Sequence, residues 1–175
     1  NTPSNPTGSV YSKEELLALG EVLKGTDIIV FSDEMYEKIM YNGKKFTAAA
    51  EVSEDMFKRT VTINGLSKAV AMTGWRFGYI ATPDAALAKA LTKLQGQVTS
   101  NINTMTQYAA IPALEGDADE TIEMMRVEFE KRKNIVVKSF NEIKGLSTTD
   151  PDGAFYVFVN IQKVTNDSMN FVLIY

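Results

Sequence analysis

The sequence predicts an α/β fold with a mostly parallel sheet. Two observations point there. Short, continuous apolar runs alternate with stretches of helical periodicity, the pattern of strands joined by helices. Those runs also lack polar alternation, as expected of strands covered on both faces. The 175 residues are 45% hydrophobic, enough for one ordinary domain with a core.

Each element has its own local signal. Ser12-Lys13-Glu14-Glu15 is a capping-box pattern, in which Ser12 accepts from the third helical N–H and Glu15 reaches back. Leu16, Leu17, Val22 and Leu23 then recur at helical spacing, and Gly25 suits a left-handed C-terminal cap. Ile28-Ile29-Val30-Phe31 predicts a buried parallel strand, Thr60-Val61-Thr62-Ile63 repeats that signal, and residues 77–81 form a third strand candidate. Residues 84–94 and 104–114 predict helices. A long helix is expected over 119–143, acidic at its start (Asp119, Glu120, Glu123) and basic later (Lys131, Arg132, Lys133, Lys138), which complements the helix dipole. Gly145 is its expected stop, Pro151-Asp152-Gly153 a turn, and 154–159 a strand. The sequence shows no internal repeat and no low-complexity segment.

Composition narrows the chemistry. A net charge of -4 gives no electrostatic reason to expect nucleic acid or an anionic membrane as partner. No apolar run approaches the roughly 20 residues of a membrane-spanning helix. The opening Asn1-Thr2-Pro3-Ser4 leads to the expectation of no targeting segment, and the lack of cysteine fits a cytoplasmic setting. With neither His nor Cys, Ser-His-Asp and Cys-His catalysis and the usual structural zinc sites are excluded within the chain. Chemistry must then come from Lys, Arg, Asp, Glu, Tyr, Ser or Thr, or from a cofactor.

Four groups of residues could carry such chemistry, and each has a plainer reading. Asn5-Pro6-Thr7-Gly8 by itself is ordinary turn sequence. Asp33, just past the first apolar run, can hold a cationic ligand group, with Tyr36 on the same face if a helical turn starts there. Equally, Asp33 can cap a helix in which Tyr36 packs by its ring. Lys68 follows Gly65 and precedes the apolar Ala69, Val70, Ala71 and Met72. A lysine amine desolvated near other cations loses its proton readily and attacks carbonyls, whereas a lone loop lysine is a solvated surface group. Arg76, in Thr73-Gly74-Trp75-Arg76, presents a fork suited to phosphate, or forms a structural ion pair.

Taken in order, these segments resemble the class I pyridoxal-phosphate aminotransferases of fold type I. The stretches are Asn5-Pro6-Thr7-Gly8, Ser32-Asp33-Glu34-Met35-Tyr36, Asn64-Gly65-Leu66-Ser67-Lys68, and Met72-Thr73-Gly74-Trp75-Arg76-Phe77-Gly78-Tyr79. Gly153-Ala154-Phe155-Tyr156 is a weaker match. The wording is closest to the aspartate or aspartate/prephenate aminotransferases. The resemblance implies a three-layer large domain over residues 1–130 and the start of a smaller α+β domain over 131–175, in an internal piece of a longer chain. It also implies a homodimer in the intact protein, with amino-acid and 2-oxo-acid substrates, aspartate and 2-oxoglutarate being typical.

Residue roles follow from the same resemblance. Lys68 carries pyridoxal 5′-phosphate as a Schiff base and later moves the substrate's proton. Asp33 pairs with the pyridinium nitrogen, and Tyr36 and Asn5 bond the cofactor's phenolic oxygen. Asn5 also reaches the substrate α-carboxylate. Arg76 holds the phosphate, and Ser67 is a second phosphate candidate, because Gly65 stands where many relatives have a serine. The family's phosphate-cradling amides, stacking ring and carboxylate-binding arginine have no counterpart in this sequence. The chain alone is therefore expected to bind cofactor poorly and to transaminate slowly or not at all. The same motifs also occur in aminotransferase-like sensor domains of transcription regulators and in lyases on this fold.

Overall fold

Ser12 starts the first helix as its sequence predicts. In the computed structural model, which describes residues 1–174 with the last two as backbone alone, α1 spans Lys13–Leu23. The Ser12 hydroxyl accepts from Glu15 N–H at 3.2 Å, and Glu15 Oε2 accepts from Ser12 N–H at 2.8 Å. Gly25 takes the expected positive φ of 74° just past the helix end. A six-residue helix, α2 (Glu54–Arg59), has no counterpart in the sequence expectation. Ser53 caps it, and the guanidinium of Arg59 grips Asp55 one turn back.

Three strands form the main sheet in the order β1-β2-β3: β1 (Val30–Asp33), β2 (Thr60–Gly65) and β3 (Gly78–Ala81). β1 and β2 are parallel, with Val30 opposite Thr60 and Asp33 opposite Ile63. β3 turns back antiparallel to β2, with Gly65 opposite Gly78. The sheet is thus mixed within this chain. The reason is the link between β2 and β3, which holds only one 3₁₀ turn, Thr73–Trp75, too little to cross over the sheet to a parallel start. The first strand also departs from expectation in burial. Ile28, Ile29 and Phe31 are exposed, at 55%, 52% and 59%, while Val30 packs against a buried cluster of α1 and α2.

The remaining helices are α3 (Ala85–Val98), α4 (Thr104–Glu115) and α5 (Asp119–Glu142), each on a segment with the predicted periodicity. Asp84 and Asn103 cap the first two through their side chains, and Gly116, at φ 100°, ends α4. β4 (Ser147–Thr148) pairs antiparallel with β5 (Val159–Asn160), and α6 (Ser168–Ile174) closes the described chain. Helix α5 runs unbroken through residue 130. Tyr175, the end of the second expected unit, lies outside the described residues.

The strand expected over 154–159 is confined to its last residue and Asn160. Tertiary contacts override the local signal. Ala154 is fully buried in a left-handed conformation (φ 58°), its N–H donates to Ile39 C=O at 3.0 Å, and its C=O accepts from the Tyr41 hydroxyl. Packing is distributed over small clusters. Leu16, Leu23, Ala49, Val52 and Met56 join α1 and α2 to Val30. Tyr36, Ile39, Tyr41 and Ala154 form a second cluster with Met35, Phe129 and Tyr156, and Leu66, Ala110 and Ala113 a third beneath Phe77.

Candidate active site

Strand directions decide where the candidate residues meet. Because β1 and β2 are parallel, Asp33 and Gly65 both lie at carboxyl ends on one edge of the sheet. Because β3 is antiparallel, its first residue, Gly78, lies on that edge too. Lys68, three residues past β2, and Arg76, two before β3, therefore emerge at the same edge as Asp33. This is where ligands gather in open α/β sheets.

A pocket of about 220 Å³ lies there, lined by Asn1, Pro3, Asn5, Asp33, Met35, Tyr36 and Lys68. Four of the six residues singled out from the sequence share it: Asn5, Asp33, Tyr36 and Lys68. Asp33 does not cap a helix. Residues 35–38 form turns instead, with Glu37 N–H donating to Glu34 C=O and Ile39 N–H to Tyr36 C=O. Asp33 Oδ1 accepts from Met35 N–H at 3.3 Å. That turn puts Tyr36 on the pocket wall.

The amino-terminal loop is held against the edge by backbone bonds. Thr2 N–H donates to Asp33 C=O at 3.0 Å, while Gly8 C=O accepts from Asp152 and Gly153 N–H. Asn5 is thereby carried to the pocket between β1 and the turn at 151–153. Lys68 is half-buried, its Nζ 6.0 Å from the Tyr36 ring centroid and 5.8 Å from that of Phe155. Tyr36 is 5% exposed, and its hydroxyl lies 2.5 Å from that of Tyr156. Burial, then the bond to Tyr156, push its phenol well above the usual range, so Tyr36 stays protonated.

Ser67 and Arg76 stand outside the pocket wall. Ser67 C=O accepts from the Thr73 hydroxyl at 2.8 Å. Arg76 is exposed, in the left-handed region (φ 55°), with one guanidinium N–H donating to Thr73 C=O at 3.1 Å. Gly65 has a steric reason. A Cβ there meets Phe77 O at 2.7 Å and Gly78 Cα at 3.1 Å, so β2 and β3 approach too closely for a serine.

Sequence reasoning gave no role to Phe155 and Tyr156, although Gly153-Ala154-Phe155-Tyr156 was the available signal. Phe155 meets Tyr36 edge-on at 5.1 Å between centroids, and Tyr156 does so at 5.6 Å. Two further buried charged groups were missed. Glu34, 2% exposed, accepts from the Ser32 hydroxyl at 2.9 Å and from Ala49 N–H at 3.1 Å. Lys133, 6% exposed on α5, bonds to Asp150 and Asn42.

Comparison with known proteins shows the family of the chain. The family profile described as "Aminotransferase class I and II" matches residues 1–174. The chain is 47% identical over 163 residues to the aspartate aminotransferase of Bacillus subtilis (strain 168), covering 93% of this chain and 41% of that protein. It is 45% identical over 163 residues to the asparagine--oxo-acid transaminase of Streptococcus mutans serotype c, with the same 93% and 41% coverage. The crystal structure of the aspartate aminotransferase from Rhizobium meliloti matches with a TM-score of 0.89 at 39% identity, over 94% of this chain and 41% of that one. The chain thus spans about two fifths of the length of these relatives. With a profile match that leaves only Tyr175 outside, the chain belongs to the class I and II aminotransferase family.

Proposed function

We propose that this chain forms the lysine-bearing part of an aminotransferase. The enzyme moves an amino group between an amino acid, aspartate or one of similar shape, and a 2-oxo acid such as 2-oxoglutarate. Its cofactor is pyridoxal 5′-phosphate. The observation that carries the reading is the single pocket shared by Lys68, Asp33, Tyr36 and Asn5. An amine, a carboxylate, a phenol and an amide on one wall suit the ring end of that cofactor: a carbonyl, a basic ring nitrogen and a phenolic oxygen. Arg76, exposed on the same sheet edge, is the group for its phosphate, with Ser67 as a second candidate. The reading extends to a large domain over 1–130, a small one beginning at 131, and a homodimer in the intact protein.

When bound, the cofactor supplies an electron sink conjugated to the carbon that receives the substrate nitrogen. The chain's residues do the rest. Lys68 would hold the cofactor's carbonyl carbon through Nζ, and the same Nζ would carry a proton to and from the substrate Cα. Asp33 holds a proton on the ring nitrogen through a charge-assisted bond. Tyr36 and Asn5 orient the phenolic oxygen. The half-buried position of Lys68, with two aromatic rings near its amine, limits water at the reacting centre.

The test is Lys68→Ala in the protein encoded by the full reading frame. The cofactor's covalent absorbance and its capture by borohydride are expected to vanish, together with amino transfer. Retained turnover overturns the assignment.

A further inference from the structure

The function proposed above does not use Tyr156. This residue lies behind the pocket rather than in it. It lines a separate cavity of about 470 Å³, between α5 and the segment at 154–157. Its hydroxyl nevertheless sits 2.5 Å from that of Tyr36, which is on the wall of the Lys68 pocket. The pair is 120 residues apart in sequence, so the arrangement is tertiary. Packing fixes it. The Tyr36 and Tyr156 rings meet edge-on at 81°, and Phe155 wedges against both, with centroids 5.1 Å and 5.0 Å away.

The two phenols differ in their surroundings. Tyr36 is buried, whereas Tyr156 is half-buried. The groups that bear on the Tyr36 hydroxyl are Tyr156 and the carboxylate of Asp33, while Lys68 Nζ lies 6.0 Å from the Tyr36 ring centroid. Burial and the Asp33 charge both oppose ionisation of Tyr36 and keep it a neutral donor. A neutral phenol donates more strongly when a second hydroxyl donates to its oxygen, because hydrogen bonds in a chain polarise one another.

We propose that Tyr156 is a positioning residue for the Lys68 site: its hydroxyl backs that of Tyr36, so that Tyr36 gives a stronger hydrogen bond to an anionic oxygen bound beside Lys68. This rests on the reading that Lys68 holds a pyridoxal cofactor, whose phenolic oxygen is the group addressed. Before such a group binds, the buried Tyr36 proton is directed to Tyr156 O, and the half-exposed Tyr156 proton is free to turn to water. With an anionic oxygen in the pocket both protons turn round, Tyr156 donating to Tyr36 and Tyr36 to the ligand. No bond to carbon forms or breaks in this exchange. Tyr156 thereby couples the segment after Gly153 to the electronics of the lysine site.

The test uses the cofactor-loaded full-length protein, with Tyr156→Phe, Tyr36→Phe and the double variant. Tyr156→Phe retains the ring and its edge contacts, so the fold is conserved, and circular dichroism checks this. The readout is the midpoint of the pH titration of the Lys68–cofactor absorbance. A weaker bond to the phenolic oxygen leaves more negative charge beside the protonated linkage and raises that midpoint. Y156F is expected to raise it by about half a pH unit and Y36F by more. The double variant is expected to match Y36F, because Tyr156 acts only through Tyr36. An unchanged midpoint in Y156F overturns the proposal, and so does a Y156F shift that persists undiminished on the Y36F background. Failure of the underlying cofactor reading looks different: wild-type protein then develops no borohydride-reducible absorbance at Lys68, and the proposal falls with it.

Discussion

Lys133 on α5 places its ammonium 2.6 Å from Asp150 Oδ1 and 3.1 Å from Asn42 Oδ1, with the Tyr41 ring centroid 5.8 Å away. Three segments distant in sequence are joined at this one nitrogen. The surrounding bonds reinforce it, since Asn42 N–H donates to Glu130 and Lys44 pairs with Asp152. The junction holds the turn at 151–153, and that turn carries Phe155 and Tyr156 against Tyr36 on the wall of the Lys68 pocket.

Lys133→Met keeps most of the buried stem and removes the charge and its bonds. The expected loss is about 2 kcal/mol of unfolding free energy, because Asp150 is half-exposed and is rehydrated. Denaturant titration of both proteins measures it. A loss near zero means that the junction is not holding the turn.

Gly65→Ser places a Cβ 2.7 Å from a backbone oxygen, and neither strand can yield without breaking register. We expect destabilisation of about 1–3 kcal/mol with no gain in phosphate affinity. Thermal unfolding and cofactor titration check the two parts separately.

On the proposed reading, Asp33→Ala in the full-length protein leaves the cofactor's ring nitrogen without its anionic partner. The expected cost is about 4 kcal/mol in the transition state, roughly a thousandfold in kcat/KM, with the Lys68 linkage still formed. A near-normal rate places the cofactor elsewhere.

Glu34 sets a pH dependence. Burial pushes its carboxyl above the ordinary 4.5, against the opposing bonds from Ser32 and Ala49. A raised folded value means that its contribution to stability is complete below pH 4.5 and is lost as pH rises through the folded value. Glu34→Gln does not titrate, and its amide oxygen can accept from the same two donors. Wild type is therefore expected to lose stability relative to the glutamine variant as pH climbs above 4.5, and the difference is flat below it. Unfolding free energies measured across that range decide the matter; a parallel pair of curves counts against it.

Local signals were the legible ones. The capping box at Ser12 and Glu15 and the Gly25 turn depend on neighbours within a few residues, and both stand as read. Helix α2 was invisible, because six residues are too few to display a period. The segment from Ala154 looked like a strand, but its backbone is claimed by Ile39 and Tyr41, more than a hundred residues earlier. The candidate site divides in the same way. Asp33 and Lys68 stand beside strand ends and can be found from the pattern. Tyr156 reaches Tyr36 only through the folded chain, and no spacing announces it.

The stretch carrying Ser67, Lys68 and Arg76 is clamped at both ends, where Gly65 and Gly78 face each other across neighbouring strands. It is also cross-tied within, by Met72 N–H to Leu66 C=O, Ala71 N–H to Lys68 C=O and the Thr73 hydroxyl to Ser67 C=O. Such a segment has little conformational freedom left to surrender when a ligand arrives. On the proposed reading, little of the cofactor's binding energy goes into ordering this stretch, and substitutions that lengthen it are expected to lower affinity by loosening the empty state rather than by removing a contact.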